Sequence, residues 1–482
     1  MKLNSNSVVK NSFWATYGAI ATRILALLSN LFLARLLLPS EFGVIGVAYI
    51  FWSFVNLFAQ NASNSFIVYK GLEDRRYVDT AYTVSIGIGL FLALGLVAIS
   101  PLAANYFGVP NLVWILMVFA FNFFLSSLNS VYEGVLRRRM QYKELANSNL
   151  IASMMRVFST VGCALMGLSY WSFVIGDAVH WLSANFLLRR HTNYDFRLRI
   201  DPEVRREVLS YNLGSTGFSL GYYVNANCDN FAVGKILGTT SLGYYNFAYQ
   251  LTMALSVIFG QVMEQVGMSV FAQMSDDDRR EKALAKVVEQ VAFLATPVYA
   301  LFFLVVDEKL ISFVFGAKWL PSLAVIPWLL IFAYFRLINS QLFSMLSAIG
   351  KTGLNARTTI AIAPIAVVAF IIGANQGQII GVGIAVAIVL GIIWTIYSWW
   401  SSCRVMNWSW KKFLILIFKP PLIALIPILV SVNALEIIQP ILFIIMYLIS
   451  VRIFAAKQFL NYRSLIGEIK QRLEKKWNSK YR

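Results

Sequence analysis

The chain has 482 residues, of which 58% are hydrophobic and only 13% are charged, and its mean hydropathy is +0.65. Soluble proteins carry about 25% charged residues, so this composition excludes a soluble enzyme. The net charge of +18 would suggest nucleic acid binding in a soluble protein. In a membrane protein it marks the cytoplasmic side instead, so we expect no nucleic-acid partner.

Apolar runs long enough to cross a bilayer follow one another along the whole chain, separated by short polar joints. A transmembrane helix needs about 20 such residues, and no alternating ten-residue segments of a β-barrel occur. The sequence therefore predicts an all-α, polytopic membrane protein with about 14 transmembrane helices. The predicted spans are residues 12–34, 44–67, 79–104, 111–134, 145–167, 170–188, 209–233, 242–268, 286–306, 320–347, 355–374, 379–402, 413–433 and 437–455.

The distribution of Lys and Arg predicts the orientation of these spans. With the amino end in the cytoplasm, 33 of these residues fall on the cytoplasmic side, 4 on the other side and 4 within spans. Basic residues favour cytoplasmic loops, so we expect both termini in the cytoplasm. The basic tail, residues 456–482, is expected to lie on the anionic membrane surface or to be a solvated end.

The two halves of the chain show the pattern of an internal repeat, with convergent membrane composition as the alternative. A shift of 200 residues aligns the first two spans with spans seven and eight, with seven identities in 34 positions, among them Asn30 with Asn230 and Gly43 with Gly243. Six spans separate the copies, so both halves enter the membrane in the same direction, as in transporters with parallel repeats. We predict two six-helix lobes, 1–188 and 209–402, a cytoplasmic amphipathic linker, 189–208, an extra helix pair, 403–455, and the basic tail.

Three arginines, Arg23, Arg156 and Arg336, lie mid-span, with no acidic residue within one helical turn of the same span. Charged side chains inside a membrane face the bundle interior or water. Guanidinium groups match phosphate oxygens, so these residues predict an anionic substrate. The alternative is that each arginine pairs across helices with an acid and only holds the bundle together. A fourth cation, Lys419, lies near a span end and is expected to reach the surface.

Polar residues also form stripes along spans one, two, seven and eight. They predict a wet cavity that binds the polar part of the substrate, with interhelical hydrogen bonding as the alternative. The neutral candidates are Asn30, Asn56, Gln60, Asn212, Tyr222 and Asn225. The ionisable residues in the spans predict coupling to a proton or sodium ion, or else structural pairing. These candidates are Asp177, His180, Asp229 and Glu264.

Two short motifs indicate a family. The stretch LARLLLPSEFG at residues 33–43 and the basic joint VLRRRMQYK at residues 135–143 resemble the corresponding segments of Wzx-type flippases. These belong to the multidrug/oligosaccharidyl-lipid/polysaccharide (MOP) exporter superfamily, and the second motif is similar to its colanic-acid-exporter branch. The span number, orientation and repeat fit this resemblance over the whole chain.

The resemblance implies a function. Such a protein would flip an undecaprenyl-pyrophosphate-linked oligosaccharide across the inner membrane by alternating access, for a surface polysaccharide such as O-antigen or an exopolysaccharide. It would act beside a polysaccharide polymerase and export machinery, and the last helix pair would guide the lipid tail. The sugar unit and the coupling ion are not implied.

Two alternatives stay open at this point. The first is a multidrug cation antiporter of the same superfamily, which would favour acidic rather than basic cavity residues. The second is a membrane glycan polymerase or ligase, although no external loop exceeds about 14 residues. No Walker, zinc-protease or serine-hydrolase motif and no metal-spaced His/Cys cluster occurs, so we expect no enzyme activity, no cofactor and no metal.

Overall fold

The structure is a computed structural model that describes residues 5–59, 62–272, 276–436 and 438–456. Within these ranges the chain is helical and contains no β-strand. Two π-helical segments, Val233–Leu237 and Val386–Ile393, and one 3-10 helix, Ala317–Ala324, interrupt the α-helices. The α-helices are α1 Ser5–Leu36, α2 Pro39–Ala59, α3 Ala62–Lys70, α4 Arg75–Phe107, α5 Leu112–Arg138, α6 Tyr142–Leu165, α7 Trp171–Thr192, α8 Pro202–Ala232, α9 Gly238–Ala272, α10 Asp277–Val305, α11 Glu308–Val314, α12 Ile326–Ala348, α13 Thr352–Ala385, α14 Trp394–Met406, α15 Trp410–Val432 and α16 Gln439–Phe454.

The helices confirm the predicted fold class. Each of the fourteen predicted spans overlaps helical residues, and the second span overlaps both α2 and α3. Over the ranges that the structure describes, nine helices are long and apolar enough to cross a membrane. The chain is therefore an all-α, polytopic membrane protein.

The motif at residues 33–43 forms the turn between α1 and α2. Pro39 is the first residue of α2, a position where the missing N–H of proline costs no helix hydrogen bond. Glu41 reaches back to accept a hydrogen bond from the backbone N–H of Leu38 at 2.6 Å. These residues therefore start α2 immediately after α1 ends.

The repeat is visible as a reciprocal contact between α2 and α9. A Cβ on Gly43 would lie 1.7 Å from the backbone oxygen of Thr239, and a Cβ on Gly243 would lie 1.8 Å from that of Pro39. These four positions are two pairs related by the 200-residue shift. Such exchange of partners is what an approximate two-fold axis requires. Only glycine permits this approach, because any side chain would overlap a backbone atom.

A sharp turn inside α13 separates the eleventh and twelfth predicted spans. Gln378 has φ 52° and ψ −142° there, a backbone region that side chains disfavour. A Cβ on Gly373 would lie 2.5 Å from the backbone oxygen of Gly381. The absence of these two side chains lets the chain reverse with its arms in contact, at the boundary that hydropathy predicts.

Contacts divide the chain into two compact units. The first comprises Met1–Ile258, Ile311–Leu329 and Ala356–Leu390, and the second comprises Phe259–Leu310, Leu330–Asn355 and Gly391–Arg482. These boundaries differ from those of the predicted lobes, linker and helix pair, which stay predictions. The predicted basic tail lies outside the described residues, apart from residue 456.

Within the first unit, residues 193–201, between α7 and α8, form an extended segment. Its backbone N–H groups at Arg197 and Arg199 donate to Asp79 Oδ1 and Thr83 Oγ1, at 3.2 and 3.1 Å. Phe196 stacks on Tyr82 with ring centroids 4.7 Å apart. The segment is therefore fastened to α4 by both polar and aromatic contacts.

Within the second unit, α15 and α16 pack on α10. Phe443 and Tyr447 of α16 are buried beside Phe293 of α10, and the Tyr447 hydroxyl donates to the Phe293 carbonyl at 3.3 Å. Tyr334 of α12 donates to the carbonyl of Ile417 in α15 at 2.6 Å. The predicted extra pair is thus held by both apolar packing and hydrogen bonds.

Candidate functional site

Three polar cavities lie within the first unit and share parts of their walls. We call them the axial cavity, of about 220 Å³, the aromatic cavity, of about 220 Å³, and the large cavity, of about 600 Å³. Arg156 and Tyr49 belong to the walls of both the axial and the aromatic cavity. His180 and Trp181 belong to the walls of both the aromatic and the large cavity. The aromatic cavity therefore lies between the axial cavity and the large cavity and shares wall residues with each.

A cluster of three side chains stands between the axial and aromatic cavities. Arg156 Nε of α6 lies 2.6 Å from Asp177 Oδ1 of α7, and Arg156 Nη2 donates to the Tyr49 hydroxyl at 3.1 Å. The Tyr49 hydroxyl in turn donates to Asp177 Oδ2 at 2.6 Å. Each member contacts the other two, so the cluster fixes the position of the guanidinium.

The tight packing of α6 against α7 makes this cluster possible. A Cβ on Gly176 would lie 1.8 Å from Thr160 Oγ1, so any larger residue there would separate the two helices. Thr160 itself donates to the carbonyl of Arg156 at 2.7 Å. The glycine precedes Asp177 in sequence and brings its carboxylate within reach of the arginine.

The contacts of Arg156 have features of both predictions made for it. The residue does pair across helices with an acid, as the structural alternative proposed, yet it also lines two cavities. The side chains of Arg156 and Asp177 are 28% and 11% exposed. Arg156 uses Nε and Nη2 in these contacts, and within the described part of the chain its Nη1 makes no hydrogen bond. A further acceptor can therefore bind without breaking the pair.

Asp177 and His180 do not form the pair that their spacing on α7 suggests. Both carboxylate oxygens of Asp177 are occupied by Arg156 and Tyr49. His180 Nδ1 is buried and has no hydrogen-bond partner among the residues described, while its ring packs edge-on against Trp181 at 5.1 Å. Arg156 offers Asp177 an ion pair, and such a pair is strong inside a low-dielectric bundle.

Arg23, a predicted binding residue on α1, lies in the wall of the large cavity. The same wall contains Asn129 and Glu133 of α5. Asn129 accepts a hydrogen bond from Asn185 at 2.9 Å, and Glu133 pairs with Arg137 at 3.2 Å. The wall of the large cavity thus combines a cation, an acid and two amides, Asn129 and Asn149.

The axial cavity is lined by carboxamides from both copies of the repeat. Asn30 and its repeat mate Asn230 lie in its wall, together with Asn227, Asn246 and Gln250. Asn30 Nδ2 donates to Gln250 Oε1 at 2.6 Å, which joins α1 to α9. The sequence predicted Asn30 as a binding residue but missed the other four. The 200-residue shift that pairs Asn30 with Asn230 contains the signal that could have found them.

Of the other predicted residues, the structure describes the side chains of Asn225, Asp229 and Asn56. Asn225 is buried and donates to the carbonyl of Thr359 at 2.8 Å, and Asp229 accepts from the Tyr245 hydroxyl at 2.7 Å. Asn56 Oδ1 is buried without a hydrogen-bond partner in the described part of the structure. Gln60 and the side chains of Asn212, Tyr222 and Glu264 lie outside the described residues.

The third predicted arginine belongs to the second unit. Arg336 lies on α12, with its guanidinium 5.9 Å from the centre of the Phe332 ring one turn earlier. Lys419 on α15 is exposed, in accord with its expected path to the surface. No group of three or more His, Cys, Asp or Glu side chains arranged to hold a metal ion is present over the described ranges.

Sequence relatives of this chain act in polysaccharide biosynthesis. The lipopolysaccharide biosynthesis protein WzxC of Escherichia coli (strain K12) is 22% identical over 434 residues, which cover 86% of each chain. The succinoglycan biosynthesis transport protein ExoT of Rhizobium meliloti (strain 1021) is 24% identical over 446 residues, which cover 90% of this chain and 88% of ExoT.

Solved structures with the same fold are membrane transporters. The lipid II flippase MurJ in an inward closed conformation has a TM-score of 0.75 at 16% identity, covering 94% of this chain and 99% of that one. An inward-facing multidrug resistance transporter of the MATE family, in the MOP superfamily, has a TM-score of 0.60 at 14% identity, covering 81% and 96%. The chain therefore has the same fold as these transporters.

A family model described as polysaccharide biosynthesis protein matches residues 32–324, which is more than half of the chain. Together with the two biosynthetic relatives, this match confirms the resemblance to Wzx-type flippases and the prediction of a transporter rather than an enzyme. The chain belongs to the polysaccharide biosynthesis protein family and is a multi-pass transporter of the inner membrane.

Proposed function

We propose that this protein flips an undecaprenyl-pyrophosphate-linked oligosaccharide from the cytoplasmic to the outer face of the bacterial inner membrane by alternating access. The headgroup of such a lipid is too polar to cross hydrocarbon unaided, whereas its polyprenyl tail can stay in the bilayer. A transporter for it needs a cation for the pyrophosphate and neutral polar groups for the sugars.

The position of Arg156 is the observation that carries this proposal. Its guanidinium is oriented by Asp177 and Tyr49, borders two polar cavities and retains Nη1 for another acceptor. An oriented guanidinium loses less freedom on binding a phosphate than a mobile one. Arg23 in the large cavity supplies a second cation in the same unit, and we include Arg336 of the second unit as a third.

The same cluster disfavours the multidrug cation antiporter. The aromatic cavity has Trp52 and Trp181 in its wall, and aromatic rings suit a cationic ligand. Such a ligand also needs a carboxylate that is free to bind it. The carboxylate in that cavity, Asp177, is already neutralised by Arg156. Export of organic cations by the purified protein at rates above empty vesicles would reverse this preference.

Coupling to a proton or sodium gradient is part of the proposal. The acids concerned are Asp177, Asp229 and Glu264, with His180 as a further ionisable group. If replacement of all three acids by Asn or Gln leaves export and its response to uncouplers unchanged, these acids are structural. We also propose that a polysaccharide polymerase and export machinery act on the flipped product.

Export of surface polymer tests the proposal directly. In cells that lack this gene, plasmid-borne Arg23→Ala or Arg336→Ala should abolish export while the protein stays at its normal level in the membrane. Lys in place of Arg should restore export only in part, because one ammonium lacks the bidentate fork. Lys419→Ala is the matched control and should export normally. Normal export by a stably inserted Arg23→Ala/Arg336→Ala double variant would overturn the assignment.

A further inference from the structure

The axial cavity has a chemical character unlike that of the other two. Five carboxamides line it, at Asn30, Asn227, Asn230, Asn246 and Gln250, and its lining contains no carboxylate and no lysine. Among the described residues of this wall, Arg156 is the single charged one. Carboxamides present both donors and acceptors without a net charge. The cavity is therefore suited to a neutral ligand with many hydrogen-bonding groups.

The repeat explains how so many amides meet at one place. Three pairs of positions related by the 200-residue shift lie in this wall: Asn30 with Asn230, Gly46 with Asn246, and Ile50 with Gln250. At the middle pair, a Cβ on Gly46 would lie 2.3 Å from Asn246 Nδ2. The small residue on one side makes room for the amide on the other, so the cavity lies on the approximate two-fold axis.

The amides are not all satisfied by one another. Asn30 bonds to Gln250 at 2.6 Å, and Asn227 Nδ2 donates to the Tyr223 carbonyl at 3.2 Å. Asn230 Oδ1, in contrast, is buried without a hydrogen-bond donor over the ranges described. A buried acceptor without a partner is unfavourable, and a ligand hydroxyl would relieve it.

We propose that the axial cavity binds the sugar that is attached directly to the pyrophosphate. A sugar hydroxyl is both donor and acceptor and so complements a carboxamide, whereas a phosphate would need more cations. The volume of about 220 Å³ is below the roughly 300–1,000 Å³ of pockets for drug-sized ligands, so it suits one ring rather than several. Arg156 borders the cavity and places the pyrophosphate next to that ring. This inference rests on the proposed function.

Binding of two lipids to the purified full-length protein in nanodiscs tests the inference. The probes are bare undecaprenyl pyrophosphate and the lipid-linked oligosaccharide extracted from cells that lack this gene. The wild-type protein should bind the second more tightly. Asn230→Leu and Asn246→Leu should each weaken binding of the glycosylated lipid about fivefold for each hydrogen bond lost. Their affinity for the bare lipid should not change.

Control variants separate this result from damage to the fold. Asn375→Leu removes an exposed amide outside the cavity and should leave both affinities unchanged. Asn230→Ala and Asn246→Ala repeat the test without added bulk, and thermal unfolding verifies that each variant is folded. If folded variants bind both lipids as the wild type does, or lose both equally, the axial cavity is not the sugar site. If the wild type binds neither lipid, the proposed function itself fails, and the inference with it.

Discussion

Separating the two roles of Arg156, structural and substrate-binding, requires removing its partner as well. Arg156→Met alone leaves the Asp177 carboxylate, 11% exposed, without its ion-pair partner. Breaking a buried pair from one side costs about 3–5 kcal/mol, whereas replacing both partners by apolar residues is often neutral or stabilising. We therefore expect Arg156→Met and Asp177→Leu each to destabilise the protein by about 3 kcal/mol. The double variant should lie within about 1–2 kcal/mol of the wild type.

The assay measures the free energy of unfolding of the four proteins in one detergent, together with polymer export in cells. The double variant should be stable yet inactive, because it keeps the packing but lacks the guanidinium. If the two single losses simply add in the double variant, the contact between Arg156 and Asp177 does not stabilise the fold. If the stable double variant exports polymer normally, Arg156 does not bind the substrate.

Three further predictions concern the backbone and the topology. Gly243→Ala should lower the unfolding temperature and impair export, because its Cβ would overlap the Pro39 carbonyl. Gly95→Ala is the control and should leave the unfolding temperature unchanged, because the space around Gly95 is open. Equal unfolding temperatures of the two variants would refute the close contact. Gln378→Gly should raise the free energy of unfolding by about 1 kcal/mol, since glycine adopts φ 52° without strain; a loss measured by the same denaturation would contradict this. Reporter fusions should place residues 189–208 in the cytoplasm and the turn at residues 105–110 outside, and the opposite result for the first would overturn both the orientation and the parallel repeat.

Hydropathy was sufficient to predict an all-α, polytopic fold because the bilayer imposes one length and one composition on every helix that crosses it. The turn at Gln378 illustrates this, since it falls between the predicted ends of spans eleven and twelve. The sequence also predicted that Arg156 lies where a charge needs a partner or a ligand. It could not say which, because Asp177 is 21 residues away on another helix and meets Arg156 only once α6 and α7 pack.

The axial cavity shows a second limit of prediction from the sequence. Asn230, Asn246 and Gln250 are unremarkable polar residues on their own helices, and each would pass for interhelical hydrogen bonding. They form one cavity wall only because the approximate two-fold axis brings α1, α2, α8 and α9 together. The alignment of Asn30 with Asn230 contained this information, but identity between two positions does not by itself reveal that they face each other.

The reciprocal glycine contact limits which substitutions the two copies of the repeat can accept. In most packing contacts, a larger residue on one side can be accommodated by a smaller one on the other. At Gly43 and Gly243 the opposing atoms are backbone oxygens of Thr239 and Pro39, which no mutation can shorten. A change at either glycine therefore has no compensating partner. Among the identities between the two halves, the pair Gly43 and Gly243 is one that the backbone contact itself requires.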